Sequence, residues 1–233
     1  MIGTMEPFVR SLFPQQLSPA LSRVVEILPA SPFEATFDYA TSGPRAIRRV
    51  LVEGEWVNLG SRIYNAEPDA AMLGTEGELV QAIVACVYSR SHDGYVREKY
   101  LRRLLALPYP WVAPFVFQLV GEYVMALAQL IADRSAALLA NEGYRRFVWD
   151  NPEFLALTWA RAVSYEDCYY RYYRRLYTPE ENYPAFRFLS ECCQVSPSCQ
   201  GRRPTCRSYC DQWRARRASG ARKPAATSHY WER

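Results

Sequence analysis

A chain of 233 residues is long enough to bury a sizeable hydrophobic core, as one large domain or as one domain with a tail. Its hydrophobic fraction of 49% and aromatic fraction of 14% exclude a largely disordered protein. With only 11 glycines, a fold built on glycine-rich phosphate loops is disfavoured. Residues 202–233 hold nine lysines and arginines against two acidic residues, a net charge of +7. Since the whole chain carries +4, residues 1–201 carry −3.

The N-terminal segment, residues 1–34, is interrupted by prolines and is predicted to be an extension with one short helix. Ser18 followed by Pro19 is a typical helix start, so we expect a helix over residues 19–28. No signal peptide is expected, because prolines and an arginine interrupt the start before an apolar stretch can form. We therefore expect a cytoplasmic protein.

The next segment has the pattern of a β-hairpin. Two apolar runs, residues 47–52 and 56–59, flank Glu53-Gly54-Glu55, which places glycine at a turn position. A third strand is predicted at residues 62–64. Because isolated hairpins are marginal in water, we expect this hairpin near residues 47–64 to pack on helices.

From Thr75 onward the pattern is helical almost to residue 196. Thr75 and Glu78 are predicted to form a capping box for one helix, and Asp93 is predicted to cap the next. Asn151 before Pro152 predicts the start of a long helix that runs to about residue 177.

A last short helix is predicted over residues 185–193, before a segment rich in proline and arginine. These elements predict a single mainly helical domain over residues 35–196, including the hairpin. Residues 197–233 are predicted to form a basic, cysteine-containing and mostly disordered tail.

The most apolar segment, residues 111–132, is about long enough to span a bilayer and carries one charge, that of Glu122. Its polar residues recur at spacings of 4, 7 and 4, which places them on one narrow stripe of a helix: Gln118, Glu122, Gln129 and Asp133. An apolar helix with one polar stripe is typical of the centre of a water-soluble bundle. The pattern therefore favours a central bundle helix over a membrane span.

One helical pair resembles a known repeat. Residues 93–104, with the sequence DGYVREKYLRRL, resemble the second helix of a HEAT-type repeat, and residues 79–88 are suitable for the first. The resemblance covers about residues 76–107, and no second copy occurs at a fixed period. It implies a scaffold or binding surface for proteins or nucleic acids, although any amphipathic helical hairpin can give this pattern. The fold class we predict is mainly α: a helical bundle or short HEAT-like array of α-hairpins, with a small N-terminal β-hairpin.

The cysteines are concentrated near the C-terminus. Four of the seven would make a tetrahedral zinc site, in which Cys206 and Cys210 share a helix face: Cys193, Cys199, Cys206 and Cys210. Cys192 could replace Cys193, and an iron–sulfur cluster could use the same thiolates. The spacings match no common zinc pattern, so free thiols or adventitious disulfides remain the alternative. Beyond zinc at this site, we expect no cofactor.

A run of tyrosines and arginines follows residue 168. The exposed members are predicted to form a binding surface: Tyr170, Arg171, Tyr173, Arg174 and Arg175. Aromatic rings and guanidinium groups suit a protein partner, and they also suit single-stranded nucleic acid. Other residues of the run fall on one helical face and are predicted to be core: Tyr165, Tyr169, Tyr172 and Leu176.

Catalysis has little support. The chain has two histidines and none of the common catalytic or nucleotide-binding motifs. Glu122 is a candidate acid or base in its apolar segment, but such a residue more often points to the rim of the bundle or pairs with an arginine. We therefore expect a non-catalytic binding or scaffold protein with a protein partner. The alternatives are a nucleic-acid-binding accessory factor and an enzyme with scattered site residues, and a membrane partner is not expected.

Overall fold

Helices dominate the fold, as predicted. A computed structural model describes residues 5–30, 49–60, 62–170 and 183–195, and about 70% of these residues are helical. Eleven α-helices lie within the described ranges: Glu6–Ser11 (α1), Ser18–Ile27 (α2), Ala70–Thr75 (α3), Glu78–Tyr88 (α4), Gly94–Leu104 (α5), Ala113–Val120 (α6), Met125–Ala132 (α7), Ser135–Ala140 (α8), Glu142–Asp150 (α9), Pro152–Tyr165 (α10) and Pro184–Val195 (α11). Short 3-10 turns at Gln15–Leu17 and Pro110–Val112 precede α2 and α6, and a π-helical turn at Glu166–Tyr170 follows α10.

The predicted hairpin is confirmed. Strands Arg49–Val52 (β1) and Glu55–Asn58 (β2) pair antiparallel, with Val52 opposite Glu55. The two turn residues between them both have positive φ, 51° at Glu53 and 87° at Gly54, as a tight two-residue hairpin turn requires.

The predicted third strand at residues 62–64 is wrong. Ile63 instead forms an isolated parallel bridge with Ser91, in the loop after α4. Its amide donates to the Arg90 carbonyl at 2.9 Å, and its carbonyl accepts from the His92 amide at 2.9 Å. The backbone of this segment is therefore bonded to the α4–α5 loop and not to the hairpin.

The predicted helix starts have mixed outcomes. The Asp93 carboxylate accepts a hydrogen bond from the Tyr95 amide at 2.8 Å and caps α5, as predicted. The Thr75–Glu78 capping box is wrong, because Thr75 is the last residue of α3 and its hydroxyl donates to the Met72 carbonyl. Thr75, which was predicted to cap α4, therefore belongs to α3, a short helix that was not predicted.

The predicted continuous helix over residues 111–132 is also wrong. α6 ends at Val120 and is followed by Gly121 (φ −83°, ψ 22°), and the chain is extended at Val124 (ψ 104°) before α7 begins. Gly121 packs closely on α10, where an added Cβ would lie 3.3 Å from Thr158 Cγ2. Within the described ranges, no helix is long and apolar enough to cross a membrane.

The core is continuous across these helices. α6 and α7 lie at its centre, and Leu101 and Leu127 are fully buried. α7 packs on α11, α4 packs on both α2 and α5, and Phe8 and Leu12 of the N-terminal segment belong to the same core. α4 and α5 are a contacting helical pair, and the HEAT resemblance of this pair stays a prediction.

Candidate functional site

A buried ion cluster lies where the central apolar segment is broken. Glu122, in the loop between α6 and α7, contacts three guanidinium groups. Its Oε1 is 2.9 Å from Arg90 Nη1, and its Oε2 is 2.9 Å from Arg62 Nη2 and 3.1 Å from Arg97 Nε. The Arg90 contact has hydrogen-bond geometry, whereas those to Oε2 are ion pairs without it. We call these four residues the Glu122 cluster.

Backbone carbonyls accept hydrogen bonds from other guanidinium nitrogens of the cluster. Arg97 Nη1 donates to the carbonyls of Ser91 and His92, each at 2.9 Å. Both carbonyls belong to the loop that follows the C-terminal end of α4, where a helix dipole favours a cation. Arg90 Nε donates to the Gly60 carbonyl at 3.3 Å. The cluster therefore ties together four separate segments of the chain.

Burial acts strongly on these charges. It lowers the pKa of Arg90 to about 10, and the Glu122 carboxylate opposes this effect. Burial also lowers the pKa of Arg97, which Glu122 likewise opposes. Among the described residues, one carboxylate thus serves three cations, one of which, Arg62, has a side chain that is 30% exposed.

This geometry gives Glu122 a structural role. Both carboxylate oxygens contact guanidinium groups. To accept a proton from a substrate, Glu122 would have to break one of these ion pairs. The interpretation that such an acid pairs with an arginine is confirmed, with three partners in place of one.

Other tyrosines contact Tyr123, the residue that follows Glu122 in the chain. The Tyr123 ring is 46% exposed, and its centroid lies 5.5 Å from that of Tyr169 and 6.0 Å from that of Tyr165. The Tyr170 hydroxyl donates to the Tyr123 carbonyl, and the Tyr183 hydroxyl donates to the Glu122 carbonyl at 2.8 Å. We call Tyr123, Tyr165, Tyr169 and Tyr170 the tyrosine surface.

Of the predicted binding residues, the structure describes Tyr170, which is half-buried within the tyrosine surface. The other four lie outside the described residues: Arg171, Tyr173, Arg174 and Arg175. The prediction that Tyr169 belongs to the core is wrong, because its ring is 55% exposed. The π-helical turn at Glu166–Tyr170 widens the helix there, so the spacing of an ordinary α-helix no longer predicts which side chains share a face.

Sequence reasoning missed Tyr123 and all three arginines of the Glu122 cluster. The available signal was Glu122 itself, because a buried acid requires a cationic partner. The partners come from a loop, a helix end and α5, which no local pattern connects. No protein family, curated protein or solved structure matches the chain.

The cysteines give no described metal site. Cys193 is disulfide-bonded, and Cys199, Cys206 and Cys210 lie outside the described residues. Cys86 is a buried free thiol whose pKa is raised by burial, and the Cys192 side chain is also buried. Within the described ranges no three histidine, cysteine or acidic side chains are grouped to hold a metal ion. The zinc site stays a prediction, and it requires Cys193 in its reduced form.

Proposed function

We propose that the protein is a non-catalytic binding or scaffold protein, and that the tyrosine surface is where it binds a protein partner. The observation that carries this proposal is the pair of rings of Tyr123 and Tyr169, which contact each other while about half of each is exposed. Tyrosine offers a large contact area and a polar hydroxyl, and it is enriched among the residues that dominate binding energy.

The setting of these rings supports the proposal. Tyr123 follows Glu122 directly, so the ion cluster fixes its backbone, and the hydroxyl of Tyr170 bonds to its carbonyl. Burial lowers the pKa of Arg97, and the nearby Tyr123, like Glu122, opposes this effect. A surface that is already rigid loses less conformational entropy on binding.

The charge next to the surface indicates what kind of partner segment fits. The Glu122 cluster has three guanidinium groups for one carboxylate, and Arg62 is its most exposed member. A partner segment that carries an aromatic or aliphatic anchor together with a carboxylate would complement both features.

The test compares how three variants of the protein bind partners from the source cells. Tyr123→Ala and Tyr169→Ala remove the two exposed rings, and Tyr95→Ala removes a ring that is 86% exposed on α5. A partner retained by the wild type and by Tyr95→Ala, but lost by the other two, is then purified. Its dissociation constant, measured by calorimetry, should rise at least about 30-fold for Tyr123→Ala, as for a hot-spot residue.

Two results would contradict the proposal. The first is a partner that binds all three variants with equal affinity. The second is capture that disappears on nuclease treatment and falls steeply with added salt, since that would indicate nucleic acid as the ligand.

A further inference from the structure

A second feature, which shares no described residue with the tyrosine surface, lies between the hairpin and α9. It is a pocket with a volume of about 280 Å³. The apolar part of its lining comes from Leu51, Val52, Pro110 and Phe147. This volume is slightly smaller than that of small-molecule pockets, which is about 300 Å³ or more. The pocket therefore suits a single long side chain.

The charged groups that line this pocket are mostly acidic. Glu53, Glu142 and Asp150 contribute carboxylates, and Arg146 is the one cation among the described residues of the lining. Arg146 Nε is already paired with Asp150 at 2.8 Å. The described part of the lining therefore has a net charge of −2, which favours a cationic occupant with an aliphatic stem.

The end of the described chain lies beside the same helix. α11 ends at Val195, whose carbonyl accepts a hydrogen bond from the Trp149 indole nitrogen at 2.7 Å. Trp149 lies on α9, between Arg146 and Asp150 of the pocket lining. The chain therefore continues from a point at the flank of α9.

The sequence that follows has the opposite charge. Residues 202–217 contain six arginines and one aspartate, a net charge of +5. Seven residues from Val195 to Arg202 can span up to about 25 Å when extended. This upper limit exceeds the length of nine-residue α9, which is about 14 Å, so the segment is long enough to follow the whole of the helix that lines the pocket.

We propose that residues 202–217 of the same chain dock at this pocket and insert an arginine into it. The aliphatic stem of the arginine packs on Leu51 and Phe147, and its guanidinium group lies among the carboxylates of Glu53 and Glu142. This inference does not depend on the proposed protein partner, because it concerns different residues and a different occupant.

Carbodiimide cross-linking of the full chain tests the proposal. This reagent joins an amine to a carboxylate in direct contact, and the chain has two lysines, Lys99 and Lys223. Three variants each place one amine in the segment: Arg203→Lys, Arg207→Lys and Arg214→Lys. Lys99 Nζ lies 2.5 Å from Glu67 Oε2, so the link between these two residues is an internal reference in every sample.

The expected result is a link from at least one new amine to Glu53, Glu142 or Asp150, within one chain. A mixture of isotope-labelled and unlabelled protein distinguishes links within a chain from links between chains. Adding Glu142→Gln should lower the yield of links to the remaining pocket carboxylates about threefold, since one favourable charge contact is lost. The matched control Glu98→Gln, on α5, should leave this yield unchanged.

The proposal is overturned if the Lys99–Glu67 link forms but none of the three variants links to the pocket carboxylates. Links that form only between chains would also overturn it, because the occupant would then be a second copy. An unchanged yield of these links in Glu142→Gln would also contradict the proposal, because the amines would then contact the pocket carboxylates by random collision and not by docking.

Discussion

The side-chain amide of Asn151 pairs with both backbone polar groups of Leu51. The Leu51 amide donates to Asn151 Oδ1 at 2.7 Å, and Asn151 Nδ2 donates to the Leu51 carbonyl at 2.8 Å and to the Phe147 carbonyl at 2.9 Å. Val52 and Glu55 form the hydrogen-bonded pair next to the two-residue turn. Because such pairs alternate along an antiparallel ladder, the backbone groups of Leu51 point away from β2. Asn151 thus occupies the place of a third strand and covers part of the outer edge of β1.

The first prediction concerns this pair. Asn151→Ala leaves the amide and the carbonyl of Leu51 without their partner, so we expect a loss of about 2–4 kcal/mol in the free energy of unfolding. Urea denaturation monitored by circular dichroism measures it. Asn58→Ala on β2 is the control and should change stability by about 0.5 kcal/mol or less. Equal effects of the two substitutions would contradict the role assigned to Asn151.

A second prediction concerns the Glu122 cluster. Glu122→Gln removes the anion that serves three partly or fully buried guanidinium groups, so we expect a loss of about 3–5 kcal/mol in the free energy of unfolding. Glu98→Gln breaks an exposed ion pair with Arg102 on α5 and should cost at most about 1 kcal/mol. Chemical denaturation of both variants measures the contrast, and a loss below about 1 kcal/mol for Glu122→Gln would contradict it.

A third prediction compares two glycines with opposite signs. An added Cβ at Gly143 would lie 2.5 Å from Pro110 Cβ and 2.9 Å from Pro110 Cα, so Gly143→Ala should cost about 1–3 kcal/mol. No atom of the described residues lies within 4 Å of an added Cβ at Gly74, in α3, so Gly74→Ala should stabilise by up to about 1 kcal/mol. Thermal unfolding measures both. A stabilised Gly143→Ala would mean that α9 is not held against Pro110.

A fourth prediction concerns alkaline pH. Burial raises the pKa of Tyr144 and Tyr183 well above the ordinary value. The unfolded chain therefore loses these protons first, at about pH 10. Their contribution to stability is complete below that pH and is lost as the pH rises toward the folded pKa values, by about 1.4 kcal/mol per pH unit for each proton.

Tyrosinate absorbance and urea midpoints, both measured against pH, test this prediction. The buried tyrosines should ionise together with the loss of circular dichroism. Tyr144→Phe should make the decline with pH less steep by one proton, and its effect on stability at neutral pH should be small, because no hydrogen-bond partner of the Tyr144 hydroxyl lies among the described residues. Ionisation of every tyrosine while the helices persist would contradict it.

Local signals in the sequence predicted much of the secondary structure. The turn pattern at Glu53-Gly54 predicted the hairpin, and Asp93 predicted the start of α5. The helix predicted over residues 19–28 is observed as Ser18–Ile27, and the one predicted over residues 185–193 as Pro184–Val195. These features are determined by residues close to one another in the chain.

Features that depend on distant residues could not be predicted in this way. The break at residues 121–124 depends on the arginines that hold Glu122, and the exposure of Tyr169 depends on a π-helical turn. Asn151 was predicted to start α10, and it does precede that helix, but its side chain makes no cap and bonds to β1 instead. In each case the deciding contact joins segments that no short sequence pattern relates.

Glu122 holds the guanidinium groups of Arg62, Arg90 and Arg97. This arrangement has a consequence for fragments of the chain. A cut between residues 97 and 122 would separate three cations from their common anion, so neither piece would retain a balanced interior. We therefore expect these segments to open together, and mild protease treatment to yield intact protein or small peptides with no stable half.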